Sequence, residues 1–166
     1  MADRPCREAP APDLHVALLA PEIPGNTGNV GRSCLAAGAR LHLIKPLGFS
    51  LDDRHVRRSG LDYWRHVDKR VWPGWADFER ALPGLGEPWF FSAEGGVELW
   101  RAPLEAPAVL VFGCESSGLP PGVRRAYRSR LVTIPMRAPE SLRSLNLSSA
   151  AAVALFEARR RVSGPG

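Results

Sequence analysis

The chain has 166 residues, of which 45% are hydrophobic and 23% are charged, with a net charge of +5. This balance is typical of one ordinary globular domain and excludes a chain that is disordered throughout. The apolar runs are too short to cross a bilayer, and three widely spaced cysteines argue against a disulfide framework or a zinc site.

Arginine outnumbers lysine by 20 to 2. A genomic bias toward arginine is one explanation, and an anionic partner is the other. We favour the partner, with RNA as the leading candidate, because the planar guanidinium can make two hydrogen bonds to one phosphate. The polar, proline-rich N-terminal residues do not resemble a secretory signal, so we expect a cytoplasmic protein. The four histidines show no metal-ligand spacing, so no metal is assigned.

Strand and helix signals alternate along the chain between two short tails. We expect flexible tails at 1–12 and 163–166 and a single domain at 13–162. The predicted strands are 14–20, 41–45, 67–71, 89–92, 108–112 and 131–134. The predicted helices are 26–37, 52–59, 75–82, 122–127 and 147–162. This alternation predicts an α/β fold, a mainly parallel sheet with helices on both faces, whose ligands bind beyond the carboxyl ends of the strands.

The first polar segment, PEIPGNTGNVGR, follows the first strand and opens a helix at residues 21–32. Asn26 or Thr27 could simply cap this helix, with Gly38 as its stop. The helix N-terminus could equally hold a phosphate. Arg32 lies where the helix becomes apolar, so we expect it to be at least half-buried and to need a partner, namely Glu22, Glu115 or a substrate phosphate.

The second segment, FGCESSGLP, follows the strand at 108–112. Gly113 and Gly118 could let the backbone approach a ligand closely. The segment matches neither a dinucleotide fingerprint nor a phosphate-binding loop nor a nucleophile elbow. Glu115 could instead cap the following helix. Cys114 is a candidate nucleophile, although a buried, small apolar side chain is the more common role.

The third segment joins IPM, at residues 134–136, to RSLNLSS, at residues 143–149. Asn146 and Ser148 are ordinary helix caps by propensity. The segment nevertheless carries more polar side chains than one cap requires. This excess indicates a binding site.

These three segments, in this order, resemble the motifs of the SPOUT superfamily of RNA methyltransferases, most closely its TrmL-type tRNA 2′-O-methyltransferases. The stretches LHLIKPLGF and RRSGLDYW also fit between the motifs, and the likeness runs from residue 14 to about 161. The resemblance implies a deep C-terminal trefoil knot, an S-adenosyl-L-methionine site and a homodimer that binds tRNA across its interface. The implied reaction is 2′-O-methylation of the ribose at the tRNA wobble nucleotide, position 34.

The resemblance also assigns residues. The implied catalytic group is Arg32, Asn26, Glu115 and Asn146. The implied cofactor contacts are Ser92, Gly96, Gly113, Leu119, Ile134, Met136, Ser144 and Leu145. Because arginine is almost always protonated, we expect Arg32 to orient the 2′-hydroxyl and a phosphate instead of removing the proton.

Two clusters of arginines are candidates for contact with the RNA backbone. They are Arg54, Arg57 and Arg58, and then Arg124, Arg125, Arg128 and Arg130. The alternative for both clusters is a solvated helix face. Two other functions stay open: 2′-O-methylation of another tRNA or rRNA site, and RNA binding without catalysis on the same fold.

Overall fold

The structure is a computed structural model that describes residues 12–51, 63–139 and 141–163. Within these ranges the strands are β1 (Leu14–Leu19), β2 (Arg40–Ile44), β3 (Lys69–Trp72), β4 (Glu87–Phe91), β5 (Val97–Glu98), β6 (Ala108–Phe112) and β7 (Leu131–Thr133). The α-helices are α1 (Pro24–Ala37), α2 (Trp75–Ala81), α3 (Pro121–Ala126) and α4 (Leu147–Val162).

The strands form one sheet in the order β3-β2-β1-β6-β4-β7-β5, and every neighbouring pair is parallel. Each predicted strand is present, with bounds that differ by at most two residues, whereas the two-residue β5 was not predicted. The predicted helix at 52–59 and the two predicted tails, except residues 12 and 163, lie outside the described residues. The trefoil knot stays a prediction of the resemblance.

Side chains alternate between the two faces of this sheet, and each face carries its own buried core. Val16 and Leu18 of β1 belong to a core that includes α1 and α4. Ala17 and Leu19, from the same strand, belong to a second core that includes α2 and α3. Because successive residues of a strand point to opposite faces, this division places helices on both sides of the sheet. The predicted α/β class with helices on both faces is therefore confirmed.

The ends of α1 differ in how well local sequence predicted them. Gly38 ends the helix in the left-handed region, with φ of 65°, and its N–H group bonds back to Cys34 and Leu35 carbonyls. This is the predicted stop. The predicted caps are wrong, because Asn26 and Thr27 lie inside the first turn, buried, and the cap position is held by Ile23 without a side-chain bond.

A chain of hydrogen bonds joins three buried polar rings in the core. Trp72 Nε1 donates to His42 Nδ1 at 2.9 Å, and His42 Nε2 lies 3.0 Å from His15 Nδ1. Indole nitrogen is only a donor, so His42 must carry its proton on Nε2 and donate it to His15. Burial lowers the pKa of His42 to about 3, with the neighbouring His15 as a further cause. The two imidazoles are therefore neutral parts of the fold.

In the described ranges, no helix is long and apolar enough to cross a membrane. The same ranges hold no cluster of three or more histidine, cysteine, aspartate or glutamate side chains arranged for a metal ion.

Candidate active site

The three polar segments meet at the carboxyl edge of the sheet. The first loop (residues 20–23) follows β1, the second loop (residues 113–120) follows β6, and the third loop (residues 134–146) follows β7. Ala20 turns the chain away from β1 with φ of 53°, a left-handed conformation that is uncommon outside glycine. The parallel order of β1, β6, β4 and β7 brings the three loops to one side of the domain.

Amide side chains connect all three loops. Asn26 Nδ2 donates to Glu115 Oε1 at 3.1 Å, and Asn26 Oδ1 accepts from Asn146 Nδ2 at 3.0 Å. Asn146 Oδ1 accepts from Ser148, both from its backbone N–H at 2.9 Å and from its hydroxyl at 2.7 Å. Asn146 is thus the cap of α4, as predicted, and also the partner of Asn26. These bonds bring three of the four predicted catalytic residues into one network.

Glu115 binds the backbone of the two residues that immediately precede α1. Its carboxylate accepts from the backbone N–H of Glu22 at 2.7 Å and of Ile23 at 3.1 Å. A carboxylate at this position also interacts favourably with the positive end of the helix dipole. The alternative in which Glu115 caps α3 is therefore wrong: α3 has no side-chain cap bond.

A second carboxylate makes the reciprocal contact. Glu22 accepts from the backbone N–H of Ser116 at 2.9 Å and from the Ser116 hydroxyl at 2.7 Å. The first and second loops thus each bind the other through a glutamate. Sequence reasoning named Glu22 only as a possible partner of Arg32, and nothing in the local pattern singled out Ser116.

Arg32 lies on α1 apart from this network. Its side chain is exposed, so the expected burial is wrong. Its guanidinium lies over the ring of Tyr63, 5.4 Å from the centroid. The Tyr63 hydroxyl donates to the Gly28 carbonyl at 3.1 Å, which holds the ring against the helix one turn before Arg32. Sequence reasoning quoted the RRSGLDYW stretch but did not identify Tyr63; an aromatic residue in that stretch was the available signal.

Close contacts within the chain explain two glycines among the predicted cofactor residues. A Cβ on Gly113 would collide with the backbone of Gly118 and Leu119, because the second loop folds back on itself. A Cβ on Gly96, whose φ is 121°, would collide with the backbone of Leu131 and Val132. Both glycines thus allow segments of this chain to approach each other, and the expected approach of a ligand to Gly113 stays a prediction.

The other predicted cofactor residues divide by exposure. Leu119 is buried with the second core. Ser92 is half-buried, and its hydroxyl accepts from Glu94 N–H at 3.0 Å. The third loop supplies the rest: Ile134 and Leu145 are half-buried, whereas Met136 and Ser144 are exposed.

Comparison with known proteins decides the family. The profile of a family described as the SpoU rRNA methylase family matches residues 13–156. The chain belongs to this family.

Other relatives agree with this membership over nearly the whole chain. The chain is 44% identical over 155 residues to the tRNA (cytidine(34)-2′-O)-methyltransferase of Burkholderia pseudomallei, covering 92% of this chain and 98% of the relative. It is 46% identical, with a TM-score of 0.85, to a solved structure described as "Structural insights into the 2-OH methylation of C/U34 on tRNA", covering 92% and 97% of the two chains. The resemblance read from the three motifs is confirmed.

A more distant SpoU neighbour carries a cofactor. The SpoU methyltransferase AviRb from Streptomyces viridochromogenes, in complex with AdoMet, is 27% identical with a TM-score of 0.76. The alignment covers 97% of this chain and 62% of AviRb. The SpoU fold of this chain is thus one on which an S-adenosylmethionine complex has been solved.

In the arginine cluster at residues 124–130 of this SpoU-family chain, two of the four arginines form ion pairs. Arg124 pairs with Glu94, and Arg130 pairs with Glu87 at 2.6 Å while lying over the Trp89 ring. Arg125 and Arg128 are exposed. The other predicted cluster, at 54, 57 and 58, lies outside the described residues.

Cys114 of the second loop is half-exposed, so the expectation of a buried apolar role is wrong. Its sulfur lies 3.0 Å from the Ser117 hydroxyl oxygen. Partial burial raises the pKa of the Cys114 thiol, but hydrogen bonds with Ser117 and Ser116 outweigh it, so the net shift is downward. The thiol is therefore a polar part of this loop.

Proposed function

We propose that this SpoU-family chain transfers a methyl group from S-adenosyl-L-methionine to the ribose 2′-hydroxyl of the tRNA wobble nucleotide, position 34. The observation that carries the proposal is the network Glu115–Asn26–Asn146, which unites the three loops at the ligand-binding edge of the sheet. The likeness to cytidine(34) methyltransferases over 92% of this chain supports the substrate.

The loops have the chemistry that this cofactor needs. S-adenosylmethionine joins a flat adenine ring to a ribose and a charged amino acid. Ile134, Met136 and Leu145 offer apolar surface for the ring, and Ser92 and Ser144 offer hydroxyls for the polar parts. Residues 134–139 belong to neither helix nor strand, so their backbone groups can bond a ligand. When bound, the cofactor supplies a methyl group activated by the positive charge on sulfur.

The chain's own residues then position the acceptor. Methyl transfer is an in-line displacement, in which alignment of the nucleophile contributes much of the rate. We assign to Arg32 the orientation of the ribose hydroxyl and its neighbouring phosphate, since a guanidinium stays protonated. We assign to Asn26 and Asn146 the fixing of α1 against the third loop. Glu115 has both oxygens engaged by three donors, so we assign it to holding α1 in place.

The same proposal includes the assembly and the place of action. Val153 and Phe156 of α4 are 38% and 48% exposed and lie three residues apart, on one side of the helix. We propose that they help to form a homodimer, and that Arg125 and Arg128 contact the tRNA backbone. Cys34 and Cys114 are free thiols, which suits a reducing cytoplasm.

The direct test is methyl incorporation into RNA. The protein is incubated with labelled S-adenosylmethionine and total tRNA, and nuclease mapping locates the labelled nucleotide. A tRNA transcript with 2′-deoxycytidine at position 34 is the matched control, because it lacks only the acceptor hydroxyl. Label at position 34 that disappears with this control supports the proposal. Label elsewhere in tRNA, label only in rRNA, or no label from folded protein contradicts it.

Two variants of Asn146 separate capping from catalysis. Asn146→Asp keeps an oxygen to cap α4 but replaces the nitrogen that donates to Asn26. We expect it to unfold within about 2 °C of the wild type and to lose methyl transfer by about a hundredfold. Asn146→Ala should lose both properties. An aspartate variant with wild-type turnover would exclude a role for this amide contact.

A further inference from the structure

The contact between Glu22 and Ser116 has no place in the predicted catalytic group. Both residues are exposed, and they lie 94 positions apart in the chain. The two bonds use both oxygens of the Glu22 carboxylate, one for the backbone N–H and one for the hydroxyl of Ser116. Hydrogen bonds to a charged acceptor are stronger than those between neutral groups. Two such bonds therefore fix the second loop in distance and in orientation.

This contact is one half of a reciprocal pair. Glu115, adjacent to Ser116, binds the backbone N–H of Glu22 and of Ile23. Four bonds of 2.7–3.1 Å thus join the residue pair Glu22 and Ile23 to the pair Glu115 and Ser116. Pairs of this kind restrain two loops more than either contact alone, because loss of one leaves the loops free to rotate about the other.

The two loops that this pair joins have different tasks in the proposed function. The first loop leads directly into α1, which carries Asn26 and Arg32. The second loop follows β6 and contains Gly113 and Leu119, both predicted cofactor contacts. Their relative position decides whether a bound methyl group and an acceptor hydroxyl are aligned, and a displacement of about 1 Å costs about a hundredfold in rate.

We infer that Glu22 is a positioning residue: its carboxylate, through Ser116, holds the cofactor-binding second loop in register with the helix that carries Asn26 and Arg32. This inference rests on the proposed function. It assigns no contact with the reacting atoms to Glu22. It requires that Glu22 and Ser116 act as one unit.

A double-mutant cycle tests that unity. The variants are Glu22→Ala, Ser116→Ala and the double variant, each measured for S-adenosylhomocysteine binding by calorimetry and for methyl transfer to tRNA. We expect Glu22→Ala to lower kcat/KM by about tenfold, Ser116→Ala to lower it by less because its backbone N–H still binds Glu22, and the double variant to be no worse than Glu22→Ala. Single effects that multiply in the double variant, or single variants with wild-type kinetics, overturn the inference.

Further variants distinguish positioning from general stabilisation. Glu22→Gln keeps one acceptor oxygen and should recover part of the lost activity. Asp68→Ala is the matched control, because Asp68 also accepts two bonds, at 2.9 Å from Arg40, but lies just before β3 at the opposite edge of the sheet. It should leave kcat/KM unchanged. If Asp68→Ala lowers activity as much as Glu22→Ala, loss of a surface contact explains both, and Glu22 has no special role.

The wild type separates this inference from the function on which it rests. If the wild type binds S-adenosylhomocysteine and methylates tRNA, and Glu22→Ala does both equally well, the inference alone is wrong. Wild-type protein that does neither sinks both. Because Glu22 and Ser116 are both exposed, we expect both single variants to fold, and Ser116→Ala, which keeps the backbone bond, tests the hydroxyl contact by itself.

Discussion

Replacing Glu115 with glutamine removes charge from a carboxylate that binds the two residues before α1 and the side chain of Asn26 in its first turn. Its Oε2 accepts from Glu22 N–H, while its Oε1 accepts from Ile23 N–H and from the Asn26 amide. Glutamine has a single acceptor oxygen. Whichever way its amide turns, an NH₂ group faces at least one of these donors, and the bond at that position is lost.

The expected cost follows from these contacts. One lost bond from a backbone N–H to a charged acceptor is worth about 1.5 kcal/mol, and the lost charge at the helix N-terminus about 0.5 kcal/mol. Glu115 is half-exposed, and water compensates part of the loss, which leaves about 1–2 kcal/mol. For a domain of this size each kcal/mol shifts Tm by about 2–4 °C, so we expect a fall of about 2–8 °C.

Thermal unfolding followed by circular dichroism measures this shift, and methyl transfer to tRNA is measured on the same preparations. The control is Glu98→Gln, whose exposed carboxylate pairs only loosely with Arg101 at 3.7 Å. We expect the control to keep both Tm and activity, and Glu115→Gln to lose at least tenfold in kcat/KM because Asn26 loses its anchor. A Tm for Glu115→Gln equal to that of the control would refute the stabilising role of these three bonds.

Three further predictions concern stability, orientation and assembly. The pKa of His42 is about 3 in the folded protein and 6.5 in the unfolded chain, so only the unfolded state takes up a proton as the pH falls through this range. The free energy of unfolding is therefore full above about pH 6.5, and about 2 kcal/mol of it is lost by pH 5. Denaturant unfolding at both pH values checks this, and a pH-independent midpoint would contradict it. Tyr63→Leu should free the Arg32 side chain and lower kcat about twofold to fivefold without weakening cofactor binding, whereas Tyr63→Phe keeps the ring and should retain activity. Equal kinetics for the two variants would exclude a role for the contact between Arg32 and the ring. Phe156→Glu should shift sedimentation from dimer to monomer, and Val71→Glu, at a residue of similar exposure on β3, should not; a dimeric Phe156→Glu would remove α4 from the interface.

Local patterns predicted the elements that depend on local physics. The apolar strands β1 and β6, the helix α4 with its Asn146 cap, and the Gly38 stop all follow from side-chain periodicity and turn chemistry. The carboxyl-edge rule for parallel sheets then placed the three loops together. The strand β5 was not predicted, because two residues are too few to show the alternating pattern of a strand.

Contacts between distant segments account for what the sequence did not predict. Propensity favoured Asn26 as a cap, but Asn26 lies in the first turn of α1 and its side chain binds Glu115, 89 positions away. The aromatic partner of Arg32 is also distant in sequence, because Tyr63 lies 31 positions away (63 minus 32). A single sequence does not show which of its distant residues come into contact. The motifs identified the loops that meet in the structure, whereas the hydrogen-bond partners within those loops became visible only in the folded protein.

Capping of α4 and contact with Asn26 are not alternatives for Asn146. Asn146 uses its oxygen to cap α4 and its nitrogen to reach Asn26, so a single amide performs both tasks. Serine and aspartate cap helices as well as asparagine does, but neither carries a donor and an acceptor in the same planar group. The chemistry of the cap therefore restricts the residue more than capping alone requires. That restriction is the physical reason why a helix start that looks ordinary by propensity alone fits the proposed methyl-transfer site.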